Sequence, residues 1–106
     1  MTEEAQPYWY LTLYVSGASP NSVAALDAVQ SICDGELAGQ VDLQIVDVRD
    51  QPSLVERDHI VAIPTLVKRL PEPLRSLVGD LGDIARVRIG LELPAAPADK
   101  TRERKP

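Results

Sequence analysis

Two stretches rich in β-branched and aromatic residues, 8–16 and 41–48, flank a single helical segment, and that arrangement leaves few folds open. In the first, Trp9, Leu11, Leu13 and Val15 alternate with Tyr8, Tyr10, Thr12, Tyr14 and Ser16. A period of two predicts a strand. Gly17 ends it. Ser19 before Pro20 pairs a helix N-cap with a proline at the first helical position. Val23, Leu26, Val29, Ile32 and Cys33 then recur at helical spacing, which predicts a helix over 20–34. After Gly35 and Gly39, Val41, Leu43, Ile45, Val46 and Val48 predict a second strand, buried on both faces. Strand, crossover helix and strand join as a right-handed βαβ unit with parallel strands.

Proline cuts the remainder into short pieces. Pro52 opens a brief helix to about residue 59, with Asp50 as its expected cap, and Ile63-Pro64 separates that helix from the next extended run. Pro71-Glu72-Pro73 reads as a turn, because prolines so close together fit neither a helix nor a paired strand. Residues 65–70 and 74–79 are then the arms of an antiparallel hairpin. Ile84, Val87, Ile89 and Leu91 predict a last helix over 83–92, capped by Asp83 and ended by Pro94, with Asp80 closing the turn before it. The order is βαβαββα, an α/β, thioredoxin-like arrangement with a four-stranded mixed sheet. Pro64 falls where that fold carries a cis-proline, just before the third strand.

Composition narrows the function. The 106 residues are enough for one domain, expected at 8–93 between a flexible N-terminus at 1–7 and a disordered, basic, Pro/Ala-rich tail at 94–106. Sixteen acidic against eleven basic residues give a net charge of -5, which argues against a nucleic-acid partner. One cysteine cannot form an internal disulfide, and one cysteine with one histidine cannot complete a zinc site. No apolar run approaches the roughly 18 residues of a membrane span, and the acidic start lacks a signal peptide's basic region. The expected location is the cytoplasm, with no membrane partner.

The place where a redox thioredoxin holds its two thiols carries Ser19-Pro20-Asn21-Ser22. Hydroxyls have no accessible redox couple, so disulfide exchange is excluded. Cys33, at a helix end among apolar neighbours, reads as a small buried hydrophobe. His59 has no partnered nucleophile. Asp80 and Asp83 are better explained by turn and cap than by acid–base work. Phosphate-loop, dinucleotide and zinc-protease motifs are all missing from the chain. No catalytic residue, cofactor or metal is expected; the chain reads as an interaction module.

Tyr14-Val15-Ser16-Gly17-Ala18-Ser19-Pro20-Asn21-Ser22, Ile45-Val46-Asp47-Val48, Ile63-Pro64-Thr65-Leu66, and Leu70-Pro71-Glu72-Pro73 with Gly79-Asp80-Leu81 resemble the KaiB family of circadian-clock proteins. The likeness runs from about residue 8 to 93. It implies a non-enzymatic regulator that binds the N-terminal ATPase ring of a KaiC-like hexamer and modulates its phosphorylation cycle and output. It also implies KaiA or a histidine kinase as further partners, and self-association as a dimer or tetramer. The family is known for two folds of one chain. A ground-state βαββααβ form exchanges with the thioredoxin-like form, and only the latter binds KaiC. The half that refolds matches residues 50–93. The resemblance assigns partner binding to Lys68 and Arg75, with Arg69 as a neighbour, and fold switching to Pro64, Pro71, Pro73, Gly90 and Glu92. Two other readings stay open: a sensor domain related to KaiC-binding histidine kinases, and a redox-inactive thioredoxin-like adaptor.

Overall fold

A computed structural model describes residues 8–93; the expected flexible N-terminus at 1–7 and basic tail at 94–106 lie outside them. Seven elements run in order: β1 (Trp9–Val15), α1 (Pro20–Asp34), β2 (Val41–Asp47), α2 (Pro52–Arg57), β3 (Thr65–Leu70), β4 (Arg75–Val78) and α3 (Ile84–Gly90). The sheet runs β2-β1-β3-β4. β1 and β2 are parallel, while β1–β3 and β3–β4 are antiparallel. This is the expected mixed thioredoxin-like sheet. Its Ile63–Pro64, Leu70–Pro71 and Glu72–Pro73 bonds are all cis.

The alternation of β1 feeds two cores. Leu11 and Leu13, fully buried, pack with Leu66 against Ala25, Val29 and Ile32 of α1 and Val87 and Leu91 from the α3 region. Tyr14, Val46 and Val67 form a smaller core on the other face, beneath Leu54, Val55 and Ile60. Ser19 caps α1 as its spacing predicts, accepting from the Ser22 amide, and Asp83 caps α3 by accepting from Ala85.

Four expectations need correction. β2 is not buried on both faces. It is an edge strand, and only Val46 within it is buried, in the core packed against Leu54 and Val55 of α2. Val23 faces solvent, and the α1 stripe is carried by Ser22, Ala25, Ala28, Val29, Ile32 and Cys33. Asp50 does not cap α2. Gln51 holds the N-cap position without a side-chain bond, while the Asp50 amide donates to the Asp47 carbonyl in the preceding turn. The regular part of α2 stops at Arg57, and that of α3 spans 84–90, each shorter than its apolar pattern suggests.

Candidate functional site

The residues matched to partner binding and fold switching gather at the β3–turn–β4 hairpin and the end of α3, except Pro64, which precedes β3 at the opposite end of that strand. Strand alternation divides the basic residues. Leu66, and hence Lys68, faces α1 and α3, whereas Val67, and hence Arg69, faces α2.

Lys68 is not a surface charge. It is 2% exposed on an inner strand. Its Nζ donates to the Pro71 carbonyl at 2.8 Å and lies 5.9 Å from the centre of the Trp9 ring. Burying an ammonium demands such partners, and the backbone of the proline turn supplies one. Lys68 is therefore not an exposed cation on a sheet edge. Its ammonium is spent on fastening the Pro71–Pro73 turn.

Arg69 is locked from the other face. Its guanidinium reaches Asp58 with Nη2–Oδ2 at 2.5 Å and Nη1–Oδ1 at 3.4 Å, and its Nε donates to Thr12 Oγ1 at 3.2 Å. It also lies 5.8 Å from the centre of the Tyr10 ring. The Tyr14 hydroxyl donates to the same Asp58 carboxylate. Burial alone would raise the Asp58 pKa. Hydrogen bonds from Arg69, Tyr14 and Arg57 outweigh that and hold it well below the usual carboxylate range. Burial, reinforced by the bond to Asp58, pushes the Tyr14 phenol upward. This network ties α2 to β1 and β3. Sequence reading missed it, since nothing local marks Asp58 as the partner of a residue eleven positions on.

Arg75 is the basic residue of this hairpin that remains half-exposed, on the edge strand β4. It stands opposite Lys68 in the β3–β4 register. Like charges placed so are unfavourable. A carboxylate answers them: Arg75 Nη2 lies 2.6 Å from Oε2 of Glu92, just past the end of α3. Glu92 adopts φ +63°. Just before it, Gly90 lets α3 approach β4 closely. A Cβ there would lie 2.7 Å from Leu77 Cδ2 and 2.8 Å from Leu77 Cδ1. Thus Gly90, Glu92 and Arg75 are one contact between α3 and β4. Pro71 is half-buried in the turn and Pro73 is exposed. Beside the contact, Leu77, Val78 and Ile89 line an open groove of about 380 Å³.

The thioredoxin redox position is structurally occupied. Ser19 Oγ donates to Ser22 Oγ at 2.9 Å, and Ser22 Oγ accepts from the Ser16 amide at 3.1 Å. Cys33 is buried as expected, which pushes its thiol up to about 11, away from nucleophilic chemistry. His59 is exposed at φ +54°, just after α2. Among the described residues, no cluster of His, Cys, Asp and Glu could hold a metal. Nor is any helix among them long and apolar enough to cross a membrane.

Residues 12–93 match the family model described as the KaiB domain. The circadian clock oscillator protein KaiB of Prochlorococcus marinus (strain MIT 9312) is 46% identical over 89 residues, covering 84% of this chain and 85% of that protein. Among solved structures, the N-terminal domain of Synechococcus elongatus SasA superposes with a TM-score of 0.66 at 29% identity, over 91% of this chain and 94% of that one. The thioredoxin Deadhead of Drosophila melanogaster gives 0.67 at 17% identity, over 80% and 79%, a likeness of fold alone.

Proposed function

This chain belongs to the KaiB family of circadian-clock proteins, and on that premise we propose that it is a non-catalytic clock regulator that binds the N-terminal ATPase ring of a KaiC-like hexamer. Through that contact it modulates the hexamer's phosphorylation cycle and output in the cytoplasm. One observation carries the reading. The described chain has the thioredoxin-like arrangement, the form to which the family resemblance attaches KaiC binding, and within it Arg75 is displayed on an edge strand. In this reading Arg75 contacts the partner directly. Lys68 acts through the turn that it fastens, and Arg69 through α2. The partner set extends to KaiA or a histidine kinase, and to self-association as a dimer or tetramer.

The same reading assigns fold switching to residues 50–93, with Pro64, Pro71, Pro73, Gly90 and Glu92 bearing on the balance with the βαββααβ form. A sensor-domain reading draws on the likeness to the SasA domain. It is the weaker one, at 29% identity against 46%.

The test is binding of labelled protein to a purified KaiC N-terminal ring. Wild type is expected to bind. Arg75→Glu should lose tenfold or more in affinity while keeping its far-ultraviolet circular dichroism, since like charges juxtaposed across an interface are strongly unfavourable. An unchanged affinity for Arg75→Glu would remove Arg75 from the interface, and no binding by any form would end the reading.

A further inference from the structure

Resting on the reading that Arg75 meets the partner, we propose that Glu92 is an internal competitor for that residue: a carboxylate on the partner takes Arg75 from Glu92, and binding thereby loosens the end of α3 from β4.

Lys68 and Arg75 are paired across β3 and β4 on one face of the sheet, so two cations sit side by side. Lys68 is buried and donates to the Pro71 carbonyl, which carries no countercharge. The formal negative charge at Arg75 comes from Glu92, at 2.6 Å. The spot therefore has a built-in affinity for a carboxylate, and in the free chain its own carboxylate satisfies it. Both side chains of the pair are about half-exposed, at 45% and 56%. An incoming group can reach Arg75 without unfolding anything. Water and salt screen the pair, so it is weak enough to exchange.

Glu92 is also placed where its release has a consequence. It lies directly after the last turn of α3, where the Glu92 amide donates to the Ile89 carbonyl at 2.9 Å. Nearby, α3 touches β4 through the close approach of Gly90 to Leu77. That approach and the Arg75–Glu92 pair tie this end of the helix to the edge strand, beside Leu91, which is buried in the core against which Leu77 packs. Once a partner holds Arg75, the charged tie is gone and the apolar packing of Gly90 and Leu91 remains. The same competition sets a modest penalty on affinity. An exposed pair costs a competitor no more than about fivefold.

A double-mutant cycle against the recombinant KaiC N-terminal ring tests this. Glu92→Gln should bind about two- to fivefold more tightly than wild type in dilute salt, the range expected for an exposed ion pair. The gain should shrink toward unity near 1 M salt, where screening acts within about 3 Å. In an Arg75→Gln background the same Glu92→Gln change should give no gain. Hydrogen exchange at the Leu91, Glu92 and Leu93 amides should quicken when wild type binds the ring. A gain that persists without Arg75 would show that Glu92 acts by another route and would overturn the proposal. So would an unchanged or weaker affinity of Glu92→Gln when wild type binds. If neither wild type nor Glu92→Gln binds, the functional reading falls and the competition falls with it; if Glu92→Gln alone binds, the effect exceeds what an exposed pair can supply and the competition is overturned while the functional reading stands.

Discussion

The two halves of the molecule are built by different means. In the first, β1, α1 and β2 have 7, 15 and 7 residues, and α1 alone buries six side chains beneath a hydroxyl cap. In the second, α2, β3, β4 and α3 have 6, 6, 4 and 7 residues; α2 buries none and α3 only Val87. Helices that short are marginal on their own. They are held by tethers reaching across the structure: Asp58 to Arg69 and Tyr14, Arg75 to Glu92, and Arg88 to Glu36. The first half is specified by local pattern and a shared core. The second is specified by particular atoms meeting at a distance, and such contacts can be exchanged for others without changing the strands' composition.

The largest effect should come from the core that both halves share. Leu13→Ala, at a position with no exposure, should cost about 2–5 kcal/mol in urea unfolding. Trp9 fluorescence and far-ultraviolet circular dichroism should still report one transition. Two separate midpoints would mean that the halves unfold independently and share no cooperative core.

Next comes Asp58→Asn, which strikes a tether of the second half and should cost about 1.5–3 kcal/mol at neutral pH, as for hydrogen bonds to a charged group. The sign of its pH dependence is set by the depressed carboxyl. The contribution of Asp58 is complete above its unfolded value near ~3.9 and fades as pH falls toward the folded value. The gap between wild type and Asp58→Asn should therefore close on acidification below about pH 4. A gap that widens in acid would show that the carboxylate is not the stabilising form. Tyr14 runs the other way. Its raised phenol favours the neutral form, so its contribution holds below about pH 10 and is lost above it.

Gly90→Ala sharpens the comparison by setting propensity against contact. Helix propensity alone would favour alanine by about 1 kcal/mol. The Leu77 carbons 2.7 and 2.8 Å from the would-be Cβ oppose it, and overpacking costs about 1–3 kcal/mol. A net loss of about 1 kcal/mol is expected, smaller in a Leu77→Val background. A gain of stability in both backgrounds would mean that α3 obeys local rules after all. Smallest is Arg75→Ala, where removing an exposed pair should move the urea midpoint by less than about 1 kcal/mol.

This division also explains what could be read from the chain. The βαβ opening, the Ser19 cap, the proline turn and the Asp83 cap are local signals, and each stands where its spacing put it. The order of elements comes from them. What local signals could not supply was position within the sheet. Val41, Leu43 and Ile45 look like a central strand, but apolar composition does not tell an edge strand with one covered face from an interior one. Lys68 misleads for the same reason. A lysine in a strand reads as solvent-facing until the register sets it beneath the proline turn and beside Trp9. Asp58, joined to residues 44 positions before it and 11 after, is beyond any periodicity.

β3 has a property that its composition hides. Read along the strand, Thr65-Leu66-Val67-Lys68-Arg69-Leu70 sets like residues side by side, two aliphatics at 66 and 67 and two cations at 68 and 69, so each face of the sheet receives one of each. A one-residue slip turns every side chain to the opposite face. Here a slip one way would set Lys68 in the Val67 site of the smaller core and Leu70 at the Arg69 site facing Asp58, and a slip the other way would set Val67 beneath the proline turn. Polarity therefore fixes the register of this strand even though its two faces carry the same kinds of residue. Shape adds to it: the planar fork of Arg69 spans both oxygens of Asp58, which an ammonium cannot do, and Thr65 Oγ1 donates to the Ala62 carbonyl at 2.7 Å.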